Sequence, residues 1–139
     1  MDCSGDGGVT KITLKEAAVD AETPQSGQIV FAHYTGTLED GTVFDSTLNK
    51  PHRQKYGFFF QLGGGQVIGG WDIGFANMKV GEKAKLVCKY PYAYGEHGMP
   101  EAGIPPRATL EFEVELLGCK FMDDKELQQI NAEVAALRR

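Results

Sequence analysis

The chain has 139 residues, 42% hydrophobic and 24% charged, the proportions of one globular domain with a real core. No stretch approaches the roughly 20 apolar residues of a membrane-spanning helix, and the polar residues 1–8 lack the basic start and apolar segment of a secretory leader. A net charge of −5 argues against nucleic acid as the main partner.

The cysteines, Cys3, Cys88 and Cys119, cannot all pair within one chain, and none has CxxC or Cys/His ligand spacing. No metal is expected, and free thiols fit a cytoplasmic protein. A secreted chain without its leader would look the same. Cys88 falls in a strand pattern and reads as a small buried apolar residue.

In chain order, residues 1–8 read as a flexible N-terminus. Val9 to Leu14 alternates as a first strand, and residues 15–27, with Pro24 and Gly27, form a loop. Gln28 to Leu38 is rich in β-branched and aromatic residues with apolar groups on both faces, which predicts a central strand. Asp40-Gly41 is a hairpin turn, and Thr42 to Ser46 returns antiparallel. Residues 48–57 are a polar, basic loop, and Phe58 to Leu62 is the next strand, ended by three glycines.

The period then changes. Ile68, Trp71, Phe75 and Met78 share one helical face, which predicts a short helix over residues 67–78. Gly69, Gly70 and Gly74 fall elsewhere on it and cost up to ~1 kcal/mol each, so packing must hold it. Lys83 to Tyr90 alternates, residues 91–106 form a Gly- and Pro-rich loop, and Leu110, Phe112, Val114 and Leu116 alternate with glutamates as a half-buried strand. Residues 120–139 carry a second, amphipathic helix from Asp123. Asp123 and Glu126 have capping-box spacing, Leu127, Ile130, Val134 and Leu137 form an apolar stripe, and Arg138 and Arg139 suit the C-terminal dipole. That helix either docks on the body or is left exposed by truncation, or else it contacts a partner or begins a tetratricopeptide region. The sum is an α+β domain of about five antiparallel strands, a short helix and an appended C-terminal helix.

The usual catalytic equipment is missing. His33, His52 and His97 have no ligand spacing, no GxSxG elbow occurs, and Gly63-Gly64-Gly65 is not followed by Lys-Ser/Thr. Aromatics instead cluster beside glycine-rich turns: Tyr34, Phe44, Phe58, Phe60, Trp71, Tyr94 and Phe112. Each taken alone reads as core. Together they can line a concave apolar site with a few polar groups at its edge.

His33-Tyr34-Thr35-Gly36, Leu38-Glu39-Asp40-Gly41, Phe44-Asp45-Ser46, Val67-Ile68, Gly70-Trp71-Asp72, Tyr92-Ala93-Tyr94-Gly95, Ile104-Pro105-Pro106 and Ala108-Thr109-Leu110-Glu111-Phe112 occur in this order. The ordered set resembles the FKBP family of peptidyl-prolyl cis/trans isomerases over residues 9–119. The resemblance implies a five- to six-stranded antiparallel sheet wrapped around a short helix, and rotation of Xaa-Pro bonds without cofactor or metal. It implies catalytic roles for Tyr34, Asp45, Trp71, Tyr94 and Phe112, with Trp71 as the floor under a prolyl ring. Phe44, Phe58, Gln66, Val67, Ile68 and Ile104 would bind substrate or macrolide, the Ile68 N–H and Tyr94 hydroxyl holding carbonyls. Asp45 would interact with Tyr34, and Arg53 is a candidate partner for Asp45. The implied partners are proline-containing polypeptides, tacrolimus- or rapamycin-type macrolides and a drug-dependent protein. A non-catalytic binding module on the same fold is the alternative. The loop 47–57 is longer than in the family's compact members, and Gln66 stands where an acidic residue is common.

Overall fold

The computed structural model describes residues 1–138. The chain runs β1 (Val9–Lys15), β2 (Ile29–Leu38), β3 (Val43–Ser46), β4 (Phe58–Gln61), α1 (Gly69–Phe75), β5 (Lys83–Cys88), β6 (Leu110–Lys120) and α2 (Asp124–Leu137). All six strands join one antiparallel sheet in the order β1-β5-β6-β2-β3, with β4 also on β2. This is the α+β architecture expected from the sequence.

Register explains how one sheet can surround a site. β6 pairs with β2 from Ile29 to Leu38, so it occupies one whole edge of that strand. The other edge is shared: β4 lies opposite Ile29–Ala32 and β3 opposite Thr35–Thr37. The chain between β3 and β4 must therefore leave the sheet and return, which places residues 47–57 beside the split.

One face of the sheet is apolar by alternation. Leu110, Phe112, Val114 and Leu116 of β6, and Ala84, Leu86 and Cys88 of β5, are all buried on it. Burying such side chains contributes roughly 1.5–3 kcal/mol each for the larger ones. β6 is longer than its alternation predicts. A register shift between Phe31 and Ala32 lets pairing continue through Gly118, Cys119 and Lys120.

α1 packs across this face. It is shorter than the predicted span because Ile68 is still extended (φ −59°, ψ 149°) and no side chain caps the first turn. Trp71, Phe75 and the following Met78 are buried as their spacing predicts. The glycines are not idle positions away from the packing, however. Gly70 and Gly74 are buried against β5, and a Cβ on Gly70 would lie 2.4 Å from Cys88 Sγ. Their missing side chains set the helix-to-sheet distance.

Two terminal expectations changed or sharpened. Residues 1–8 are not a loose extension but a hook tied by hydrogen bonds. The Met1 amino group donates to the Lys11 carbonyl, the Asp2 carboxylate accepts from the Gly5 and Gly7 N–H groups, and the Tyr92 hydroxyl donates to Asp6 at 2.6 Å. At the other end the Asp123–Glu126 capping box forms, with the Glu126 N–H 2.8 Å from the Asp123 carboxylate. α2 docks on the body. It packs on the 3-10 turn Pro51–Arg53, buries Val134, and receives Lys55 and Tyr56 on the Glu133 carboxylate. The dipole role expected of Arg139 lies outside the described residues.

Candidate functional site

The site grows from pairs of residues facing each other on the apolar side of the sheet. Tyr34 stands opposite Val114, Gly36 opposite Phe112, and Ala32 opposite Phe58. Gly36 is the opening in this layer. A Cβ there would lie 2.5 Å from Phe44 Cζ and 2.9 Å from Phe112 Cε1, so only glycine leaves room for both rings. The small side chains between large ones leave a hollow that α1 covers without filling.

That hollow is a cavity of about 250 Å³. Ten residues line it: Tyr34, Phe44, Asp45, Phe58, Gln66, Val67, Ile68, Trp71, Tyr94 and Phe112. All ten belong to the set singled out from the sequence. Ile104, expected to close one side, does not line it. Ile104 is 2% exposed, packed in the core, and bridged through its backbone to Met99, so it supports the late loop from behind.

Trp71 and Phe112 are the deepest lining residues, 5% and 3% exposed. Aromatic rings enclose the indole edge-on: Tyr34 at 4.8 Å between centroids and 74°, Phe112 at 5.3 Å and 80°, Phe58 at 5.7 Å and 75°. From the core side Phe75 adds a fourth edge-on ring at 5.5 Å and 76°, and Phe60 lies tilted at 5.9 Å. Such edge-to-face pairs contribute about 0.5–1.5 kcal/mol each beyond area burial, so they hold the ring in one orientation. Among the described residues, Trp71 Nε1 is the one buried side-chain nitrogen or oxygen without a hydrogen-bond partner.

The polar edge is concentrated at Asp45. One carboxylate oxygen accepts from the Tyr34 hydroxyl, and the other takes the Lys50 ammonium and, at 2.9 Å, the Ser46 N–H. Burial opposes ionisation of Asp45, but Lys50, Tyr34 and Ser46 together outweigh it and hold the carboxyl below its ordinary range. Burial and the bond to Asp45 push the Tyr34 phenol far above its ordinary value, so it stays a donor. Burial and the Asp45 charge also raise Tyr94. The Tyr94 hydroxyl and the Ile68 N–H have no acceptor among the described residues, which leaves two donors at the cavity.

The partner of Asp45 differs from the sequence-based candidate. It is Lys50, whose ammonium also donates to the Ser46 carbonyl at 2.8 Å. Arg53 instead lays its guanidinium over Phe58 and Phe59, 5.5 and 5.7 Å from the ring centroids. Lys50 precedes the turn Pro51–Arg53, and that turn carries Arg53 past the carboxylate to the Phe58 and Phe59 rings. No periodicity marks either position. A short basic segment after Asp45 was the only signal available. No group of three or more His, Cys, Asp or Glu side chains among the described residues could hold a metal ion.

The sequence profile of the FKBP-type peptidyl-prolyl cis-trans isomerases matches residues 20–117. FK506-binding protein 59 of Drosophila melanogaster is 53% identical over 88% of the chain, which spans 27% of that protein. The chain thus covers about a quarter of this long relative. Peptidyl-prolyl cis-trans isomerase FKBP20-1 of Arabidopsis thaliana is 45% identical over 99% of the chain and 70% of its own length. The crystal structure of a peptidyl-prolyl cis-trans isomerase from Pseudomonas syringae pv. tomato superposes with a TM-score of 0.69 at 30% identity, covering 83% of this chain and 77% of that one.

Proposed function

Because the chain belongs to the family of FKBP-type peptidyl-prolyl cis-trans isomerases, we propose that it accelerates rotation about Xaa-Pro bonds in the Trp71 cavity. The observation that carries this reading is an open, aromatic-walled hollow above a nearly buried indole.

A peptide bond resists rotation by ~18–20 kcal/mol because resonance gives the C–N bond double-bond character. Resonance also separates charge between oxygen and nitrogen, and water stabilises that planar form. A twisted bond has lost the resonance and carries less separated charge. Walls made of Tyr34, Phe44, Phe58 and Phe112 offer little solvation to the planar form, so they favour the twisted one relative to it. Each tenfold in rate needs ~1.4 kcal/mol. No proton moves in the reaction. Asp45 therefore serves as an anchor for Tyr34, and the Ile68 N–H and Tyr94 hydroxyl would orient the carbonyls that flank the proline.

A macrolide whose ring mimics proline would occupy the same hollow, and tacrolimus- and rapamycin-type compounds are the expected inhibitors. The name FK506-binding protein carried by a close relative supports this. A drug-dependent protein partner would then contact the cavity rim. Free Cys3, Cys88 and Cys119 support a cytoplasmic setting.

The test is exchange NMR on an Xaa-Pro peptide, with and without rapamycin. Acceleration that rapamycin abolishes is expected. Rapamycin binding without acceleration would make the chain a proline-binding module on the same fold, and absence of both would remove the reading.

A further inference from the structure

The loop 47–57 carries Lys50, His52, Arg53 and Lys55, with Arg53 over the cavity wall Phe58, and α2, which packs on the turn Pro51–Arg53, ends at Arg138. Two of these charges are already engaged: Lys50 by Asp45, and Lys55 by Glu133 at 3.1 Å. Arg53 and Arg138 pair with no carboxylate among the described residues. A chain of net charge −5 thus presents a locally cationic ridge next to its cavity.

Arg53 is also held in place. A surface arginine ordinarily moves freely, but this one is half-buried with its guanidinium over two rings, and one of those rings is the cavity wall Phe58. Burial, and then the nearby Arg138 charge, depress the Arg53 guanidinium. Burial, and then the Arg138 charge, likewise disfavour protonation of His52. Two like charges at one turn repel each other, and an anionic side chain of a bound peptide would relieve that repulsion. The planar fork of arginine offers parallel N–H groups to a carboxylate or a phosphate.

Resting on the isomerase reading above, we propose that Arg53, reinforced by Arg138, selects substrates that carry an anionic side chain within two residues of the proline. Arg53 is then a specificity-determining residue for the reaction, and acidic or phosphorylated peptides are the favoured class. Partial exposure keeps the preference modest and sensitive to salt, because the screening length is about 8 Å at physiological ionic strength.

The experiment compares blocked peptide amides bearing Glu, phosphoserine or Gln in turn at the two positions before and the two after the proline. Exchange NMR reads kcat/KM at low and high salt for the intact chain, Arg53→Gln and Arg53→Lys. At one position at least, Glu or phosphoserine is expected to exceed Gln by about two- to fivefold at low salt. The ratio should shrink at high salt, approach unity in Arg53→Gln, and survive largely in Arg53→Lys. Phosphoserine well above Glu would identify the dianion as the preferred group, and equality would identify any carboxylate-like charge. A ratio at or below unity at every position, or one that persists in Arg53→Gln, overturns the proposal while leaving the isomerase reading intact. No acceleration of any peptide, Gln forms included, would strike the isomerase reading itself and this inference with it.

Discussion

The Tyr34 hydroxyl donates to Asp45 while the Tyr34 ring stands edge-on to Trp71, 4.8 Å between centroids. One side chain thus links the charged rim to the cavity floor. Tyr34→Phe keeps the ring contact and removes the donor. It should cost ~1 kcal/mol of stability, as a hydrogen bond to a half-exposed carboxylate does. Isomerase activity should fall several-fold through a less fixed wall. Denaturant titration and exchange NMR on the same sample would separate the two effects.

The same carboxylate fixes the pH response. The folded Asp45 titrates below its ordinary value of 3.8. Its contribution is therefore fully present above that value and is lost as pH falls through the lower folded one. The side chain is 40% exposed, so solvent screening keeps the contribution below about 1 kcal/mol. Stability and activity should be flat through neutral pH, with an acid loss near and below pH 4 that Asp45→Asn diminishes. A bell-shaped rate profile centred near neutrality would contradict an anchoring role and indicate proton transfer.

Trp71→Leu replaces an indole enclosed by five rings with a smaller, flexible side chain. Partial collapse around the lost volume should cost about 2–4 kcal/mol of stability. Turnover should drop by tenfold or more, and rapamycin should bind less tightly. Circular dichroism must show a folded variant for the result to count. A folded Trp71→Leu chain with full macrolide affinity would place the binding site elsewhere.

Alternation made β6 legible, since Leu110, Phe112, Val114 and Leu116 all face the core as the pattern requires. The cavity was legible for another reason: its lining comes from short motifs whose order along the chain can be recognised. What escaped depends on backbone turns rather than on period. Lys50 replaces Arg53 as the partner of Asp45 because a 3-10 turn starts at Pro51 and carries Arg53 past the carboxylate. Ile104 turns inward because its backbone pairs with Met99. The N-terminal hook looked loose because polar and glycine residues carry no apolar signal. Its order comes instead from bonds such as those of Asp2 to the Gly5 and Gly7 amides.

Gly36→Ala tests how tightly the wall is built. The added carbon would meet Phe44 and Phe112 at 2.5 and 2.9 Å, so one ring must swing into the cavity. Overpacking of this kind costs typically 1–3 kcal/mol. The aromatic resonances of Phe44 and Phe112 should shift, and the peptide KM should rise more than kcat falls, since the space rather than the chemistry is lost.

Cys88 offers a test of burial that needs no activity at all. Its thiol is fully enclosed beneath Gly70, and burial pushes it up to about 12. The reactive thiolate is therefore almost absent at pH 8. Cys3 and Cys119 are also raised, burial being the largest cause in each, but both remain partly exposed. Iodoacetamide should label Cys3 and Cys119 in the native chain and reach Cys88 only on unfolding, as mass spectrometry of tryptic peptides would show. Gly70→Ala, whose Cβ would lie 2.4 Å from the sulfur, should lift α1 from β5 and speed labelling of Cys88. Unchanged protection of Cys88 in that variant would mean that the helix does not depend on close approach at Gly70.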